Sequence, residues 1–363
     1  MFDFIPLKYY TDLYYIALAV ILAVACLYLN KHRLTASSNI FTINMLTFFL
    51  LFLGCVYMGM RPISGFYFGD MSTYNQYFLR IQQQGISAVP KTDYVFNYFM
   101  YLCTLVMTNK MYFIVLAVIY VWPLYYVAKI NFNKGAFYLL FFLMGSFSFW
   151  AYGTNGLRNG IATSVFLLVF ATKNRIVQIA ILFLAFGIHS SMIIPIAALV
   201  VAYLVKNTKY LVFGWLAAIP VSLIAGGTLQ VLFSGLMQDD RTSYLTAGNV
   251  NDDTFSGTGF RWDFVLYSAA AVYAGWYYIF KKNYRDQRYL LIYGTFLIAN
   301  AFWIIVIKAN FSNRFAYLSW FLMGLVIGYP LLKEYMFKDH NTKIIYILLS
   351  YFAFTFLMNV IIY

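Results

Sequence analysis

The chain has 363 residues, of which 63% are hydrophobic, 21% aromatic and only 10% charged, with a formal net charge of +13 and a mean hydropathy of +0.73. Soluble domains carry about 25% charged residues. A soluble enzyme, a disordered chain and a nucleic-acid-binding domain are therefore excluded, which leaves a polytopic membrane protein. Cys26, Cys55 and Cys103 are too few and too scattered for a disulfide framework, a zinc site or a cluster.

A membrane helix needs about 20 mostly apolar residues. In chain order, apolar runs fall near 13–30, 40–58, 111–128, 136–153, 158–172, 176–189, 190–205, 210–226, 263–281, 289–307, 314–332 and 343–362. Asp3 and Asp12 leave no basic stretch ahead of the first run and no small-residue cleavage site follows it, so it reads as a span rather than a cleaved signal. The segment 93–108 starts at Asp93, contains Asn97 and is interrupted by Thr108, Asn109 and Lys110, which fits an interfacial or re-entrant helix. The expected fold is an all-α polytopic integral membrane protein of about 12 transmembrane helices, a single transmembrane domain over 1–363.

Charge sets the direction. Under twelve spans, six alternate short loops hold 15 of the 25 basic residues, from Lys31 and Arg33 through Lys206, Lys209 and Arg285 to Lys343, with only Asp286, Glu334 and Asp339 as acids. By the positive-inside rule these loops are cytoplasmic, and the excess charge is an orientation signal rather than a polyanion-binding patch. Two long polar loops, 59–92 (59–110 with the interfacial segment) and 227–260, then lie on the outer face, and long loops in compact proteins are usually functional or disordered. Short helices are expected in them.

The unusual polar residues share that outer face. Arg158 stands in Tyr152-Gly153-Thr154-Asn155-Gly156-Leu157-Arg158-Asn159-Gly160 at the mouth of a span, and His189 closes the next hairpin in Gly187-Ile188-His189-Ser190-Ser191. Arg261 and Asp263 open a later span, where they can pair with each other, and Lys308 and Arg314 bracket Ala309-Asn310-Phe311-Ser312-Asn313. In the first loop Arg61 precedes Gly69-Asp70, and a helix over 70–81 would put Asp70, Tyr74 and Tyr77 on one face. Each cation alone could simply snorkel to headgroups. Five of them, Arg61, Arg158, Arg261, Lys308 and Arg314, on the face where positive charge is disfavoured point to an anionic ligand.

Arginine forks bind phosphate oxygens bidentately, and the open backbone of Gly153-Thr154-Asn155-Gly156 lets an anion approach a helix start. A cationic cluster in the membrane beside aromatic loops suits a lipid carrying pyrophosphate and sugar, with Asp and Asn for hydroxyls. Imidazole titrates near neutrality, so His189 is the candidate to take or give a proton, with Asp70 and Asp263 as rival bases. The pairs Asp239-Asp240 and Asp252-Asp253 lack a metal-ligand spacing and read as a solvated loop or lid, so no metal is expected. Nucleotide-sugar donors are cytoplasmic, on the wrong face for this constellation.

The order Arg61…Gly69-Asp70…Tyr74, then Asn155-Gly156-Leu157-Arg158-Asn159-Gly160-Ile161-Ala162, then His189-x-Ser191 and Asn313-Arg314-Phe315, resembles the EpsG-like family of bacterial exopolysaccharide and O-antigen polymerases of the Wzy type. The resemblance covers about residues 40 to 332. One departure is Asn159, where the family pattern often has glutamine, which bears on fine substrate specificity. The resemblance implies a GT-C-like membrane glycosyltransferase without metal or cofactor. It would join undecaprenyl-pyrophosphate-linked oligosaccharides at the outer face of the bacterial inner membrane, facing the periplasm. Partners would be the lipid-linked donor and acceptor, membrane lipids and a chain-length regulator, with no nucleic acid. Carried over residue by residue, Arg158 would hold the donor pyrophosphate, with Arg261 and Arg314 sharing the load. His189 or Asp70 would deprotonate the acceptor hydroxyl. Arg61, Tyr74, Tyr77, Asn155, Asp263 and Lys308 would line the substrate cleft.

Two rivals remain. A flippase or other transporter of lipid-linked sugar would need polar groups through the membrane centre, whereas the mid-span residues here are overwhelmingly apolar. An O-antigen ligase would use the same donor with a different acceptor.

Overall fold

The computed structural model describes residues 2–32, 34, 40–132, 135–234, 260–309 and 312–362. Every regular element among them is helical. In chain order the α-helices are α1 Tyr10–Lys31, α2 Ile40–Leu51, α3 Gly65–Phe68, α4 Met71–Gln84, α5 Tyr94–Thr104, α6 Asn109–Phe132, α7 Ala136–Met144, α8 Phe147–Thr154 and α9 Leu157–Leu167. They continue as α10 Arg175–Ile188, α11 Ile193–Leu204, α12 Thr208–Ser234, α13 Trp262–Trp276, α14 Gln287–Ile305, α15 Asn313–Trp320, α16 Met323–Lys333 and α17 His340–Phe356.

The expected helical membrane class stands, whereas the expected number of spans, about 12, is not confirmed. Among the described residues six helical stretches are long and apolar enough to cross a membrane: Leu7–Lys31, Asn109–Phe132, Thr208–Leu229, Gln287–Ile305, Asn313–Lys333 and His340–Ile362. The pair α7 and α8 makes a seventh if taken together, although its axis bends by 69°. The reason lies in breaks that an apolar run conceals. Gly145 and Ser146 interrupt 136–153, whereas 158–172, 176–189 and 190–205 fold as the shorter apolar helices Leu157–Ala171, Arg175–Ile188 and Ser190–Leu204. At 1.5 Å per residue, about 20 residues are needed to cross a hydrocarbon core of about 30 Å. Helix α5, with its 11 residues, is likewise too short.

Residue contacts gather into two compact units, Met1–Ser190 with Leu331–Tyr363, and Ser191–Pro330. In the first unit α9 packs against α6, α8 and α10, while α5 packs against α4 and α10. Helix α4 turns Met71, Tyr74, Phe78 and Ile81 inward, the i, i+3, i+7 stripe of an amphipathic surface helix. Its polar side ties to α6, where the Asn109 amide donates to Asn75 Oδ1 at 2.7 Å. Helix α1 is fastened to the π-helical turn Phe52–Tyr57 that ends α2. Tyr10 and Tyr57 stack with centroids 4.3 Å apart, and each hydroxyl donates to the other's carbonyl oxygen, at 2.7 and 2.8 Å.

In the second unit α14 packs on α11, α12, α13 and α15. At its middle the buried Asn300 accepts from Trp215 Nε1 at 2.7 Å, and its amide nitrogen lies 3.1 Å from Ser268 Oγ and 2.9 Å from Ser319 Oγ. Trp320 Nε1 closes the network on Ser268 Oγ at 2.8 Å. A buried amide without partners would cost several kcal/mol in an apolar interior. This one holds four helices together because its donors and acceptor are all used.

Candidate functional site

The turn between α8 and α9 is built first. Thr154 ends α8, Asn155 and Gly156 follow, and α9 begins at Leu157, so Arg158 stands in the first turn of α9. Two contacts fix this turn. Arg61 donates from Nη1 to Met58 O at 2.6 Å and from Nη2 to Thr154 O at 3.0 Å, joining the ends of two helical segments where backbone carbonyls carry partial negative charge. Asn155 Oδ1 accepts the Asp70 N–H at 2.8 Å. Gly69 makes that approach possible: it sits at φ +54°, and a Cβ there would lie 2.5 Å from Asn155 Cγ.

Arg158 points from this turn to a residue that sequence reasoning did not single out as functional. Its Nη1 lies 2.6 Å from Asp93 Oδ2, and its Nε donates to the Tyr74 hydroxyl at 3.3 Å. The same Asp93 Oδ2 is 2.9 Å from His189 Nδ1, and Asp93 Oδ1 accepts the Ser190 N–H at 3.1 Å. An ionised carboxylate only accepts, so His189 Nδ1 carries a proton, and in the neutral imidazole the lone pair would sit on Nε2. The Asp93 and His189 side chains are 4% and 6% exposed and Arg158 is 26% exposed, so the pair is buried while the guanidinium is reachable.

Burial alone would raise the Asp93 carboxyl. The hydrogen bond and charge of His189, then the Arg158 guanidinium and the Ser190 N–H, outweigh it and hold the group below the ordinary carboxylate range. Burial also raises the Tyr74 phenol, partly opposed by Arg158, so Tyr74 stays protonated beside the cation.

The local chain at Asp93 is unusual. Asp93 occupies the N-cap of α5 yet makes no side-chain cap bond, and it lies in the left-handed region at φ 44°, ψ 52°. An N-cap aspartate ordinarily bonds its own helix's N–H groups. Here the carboxylate is turned to three neighbours instead, and strained backbone of this kind collects at functional positions. Asn97, one turn on, steadies the entry by donating to Thr92 O at 2.6 Å. Gly187 brings α10 against α5, since a Cβ there would stand 2.6 Å from Val95 Cγ2. That close approach carries His189, the C-cap of α10, to Asp93.

The other expected residues are placed differently. Arg61 is buried, with its guanidinium 5.7 Å from the rings of Phe68 and Phe113, and burial lowers its pKa to about 9, still protonated at neutral pH. Helix α4 forms over Met71–Gln84, with Tyr74 buried and Tyr77 exposed. Asp70 heads α4 and meets the α8–α9 turn through its backbone. Arg261, Asp263, Lys308 and Arg314 all belong to the second unit. There Arg261 forms a two-pronged pair with Asp263, at 2.9 and 2.6 Å, and lies 3.9 Å from the Phe264 ring. Lys308 is exposed and Arg314 half-buried in the first turn of α15. The acid pairs Asp239-Asp240 and Asp252-Asp253 lie outside the described residues. Among the described residues no three His, Cys, Asp or Glu side chains gather as metal ligands.

Asp93 could have been found from one signal, an acid at the head of a segment too short to span, beside Thr92 and ahead of Asn97. Its partners are 65 and 96 residues away in sequence, and only folding brings them to it.

The helices and the Arg158–Asp93–His189 cluster define a membrane protein, helical in every regular element among the described residues, with a charged centre in its first unit. The chain belongs to the EpsG family, whose model matches residues 50–363, and membership points to a polysaccharide-polymerase-like role. No curated protein and no solved structure matches the chain.

Proposed function

We propose that the protein is a polysaccharide polymerase that joins undecaprenyl-pyrophosphate-linked oligosaccharide units at the outer face of the bacterial inner membrane, with Arg158, Asp93 and His189 at its reaction centre. The observation that carries this reading is one carboxylate, Asp93, joined to both a reachable guanidinium and a buried imidazole.

In the reaction, the bond from the anomeric carbon of the donor glycan to its lipid pyrophosphate breaks. A bond from the acceptor hydroxyl oxygen to that carbon forms, and the lipid pyrophosphate leaves. The acceptor proton passes to Nε2 of His189, while Asp93 holds the Nδ1–H and stabilises the imidazolium. Arg158 binds the pyrophosphate and steadies the charge that develops on it as it leaves. Asp93 sets the direction of both side chains. His189 is preferred to Asp70 as the base because it belongs to this hydrogen-bonded cluster. Tyr74 orients Arg158, and Tyr77 belongs to the sugar-binding surround. The enzyme is of the GT-C type and independent of metal.

The test is polymerisation by purified protein of its host's lipid-pyrophosphate-linked repeat unit, with products resolved by length. A ladder insensitive to EDTA and lost in Arg158→Ala and His189→Ala variants that insert normally supports the reading. Folded wild-type protein that gives one unextended band but moves the lipid-linked unit across liposomes would establish the transport alternative. Transfer of the glycan only to a different acceptor would mark a ligase.

A further inference from the structure

A second charged feature lies wholly within the second unit, at residues the proposed reaction does not use. The chain entering α12, the end of the π-helical turn after α13 and the chain entering α14 together line a cavity of about 480 Å³. Lys206, Lys209 and Arg285 contribute its charge, and Phe280 and Leu290 form an apolar wall. All three cations are exposed, and among the described residues none is paired with a carboxylate. The nearest acid in sequence, Asp286, is engaged in capping α14, where its Oδ1 accepts the Tyr289 N–H at 2.9 Å. The two helices that start at the cavity, α12 and α14, carry two of the six stretches long and apolar enough to span a membrane. Their N-termini add the positive ends of two helix dipoles. Asn207 shapes the rim by accepting the Lys209 N–H at 3.1 Å.

Three uncompensated cations held at one concavity favour a group with several negative oxygens. The apolar wall adds a requirement that a bare anion does not meet. At the start of two spanning helices the cavity lies at headgroup depth, where basic pockets between membrane helices take lipid phosphates. We infer that Lys206, Lys209 and Arg285 form a binding site for the phosphate of an anionic phospholipid, with the glycerol and upper acyl chain against Phe280 and Leu290. The inference is independent of the reaction proposed above.

Purified full-length protein in detergent, titrated with phosphatidylglycerol and followed by native mass spectrometry, tests it. Each basic contact near a lipid surface is worth roughly fivefold in affinity, so Lys206→Gln, Lys209→Gln and Arg285→Gln combined should weaken binding about a hundredfold. Because all three side chains are exposed, the triple variant should keep the wild-type melting temperature. A control triple, Lys31→Gln, Lys129→Gln and Lys173→Gln, removes the same charge from exposed positions elsewhere and should change binding little. Phosphatidylcholine should not compete. Inorganic phosphate that displaced the lipid at similar concentration would assign the site to free phosphate rather than a headgroup and overturn the lipid. Equal losses in the two triple variants, or none in the first, would overturn the site itself.

Discussion

Asp93 Oδ2 and His189 Nδ1 lie 2.9 Å apart although 96 residues separate them in the chain. The contact joins the head of one short helix to the foot of another, α5 to α10, and the same oxygen also receives Arg158. A single carboxylate therefore sets the orientation of the proposed base and of the proposed phosphate-binding cation together. That is why Asp93, rather than either partner, is the position from which the proposed chemistry is most economically tested.

Asp93→Asn keeps an oxygen that can accept the Ser190 N–H, and asparagine tolerates the left-handed backbone as aspartate does. It removes the charge that fixes the His189 tautomer and steadies the imidazolium. The ladder-forming rate should fall about a hundred- to ten-thousandfold while the melting temperature changes little. Asp93→Ala removes the carboxylate acceptor from beside the buried His189 and should lower both. Rates by gel and melts by circular dichroism separate the two effects.

The pH dependence of stability follows from the lowered Asp93 pKa. The unfolded chain binds a proton near pH 3.9, and the folded chain only at lower pH. Stability from this group is thus fully present above the unfolded value and is lost as pH falls through the folded one. Thermal unfolding in detergent between about pH 6 and pH 3 should show a loss below about pH 4 that is smaller in Asp93→Asn. Equal slopes in the two proteins would mean that Asp93 is not held as described.

Gly187 offers a test of packing rather than charge. Gly187→Ala places a methyl 2.6 Å from Val95 Cγ2 and would push α10 away from α5, withdrawing His189 from Asp93. Overpacking of this kind destabilises by about 1–3 kcal/mol, and polymer formation should fall more than stability does. Adding Val95→Ala removes the obstructing methyls and should restore the ladder. A double variant no better than the single one would place the role of Gly187 elsewhere.

The legible parts of the molecule were those carried by local chemistry. Arg158 and His189 stand out because a cation at a span mouth and an imidazole at a hairpin break the apolar pattern, and Tyr74 follows from helical spacing around Asp70. Asp93 was not legible as functional, because an aspartate before a short helix has an ordinary explanation as a cap. What distinguishes it is the diversion of its carboxylate to distant neighbours. The expected count of spans goes unconfirmed for a related reason: hydropathy averaged over a window does not register a 69° bend at Gly145-Ser146 or the short length of α9, α10 and α11. The outward turn of Tyr77 depends on which stripe of α4 meets α6, a tertiary choice that the i, i+4, i+7 pattern leaves open.

Arg61 carries the last prediction, because its two hydrogen bonds go to backbone carbonyls beside the α8–α9 turn. Its two donors hold Met58 O and Thr154 O, and the second carbonyl immediately precedes the Asn155 that binds the Asp70 backbone. Arg61→Ala leaves two buried carbonyls without their donors, at about 1–3 kcal/mol each, but also relieves the desolvation of a buried cation. The net loss should be about 1–3 kcal/mol. Arg61→Lys keeps the charge without the planar fork, so it should recover the melting temperature in part and activity less, since one ammonium cannot span both carbonyls in the same geometry. A residue that bound substrate directly would raise KM in Arg61→Lys. A residue that positions the α8–α9 turn should instead lower kcat, through the displaced Arg158, with KM nearly unchanged.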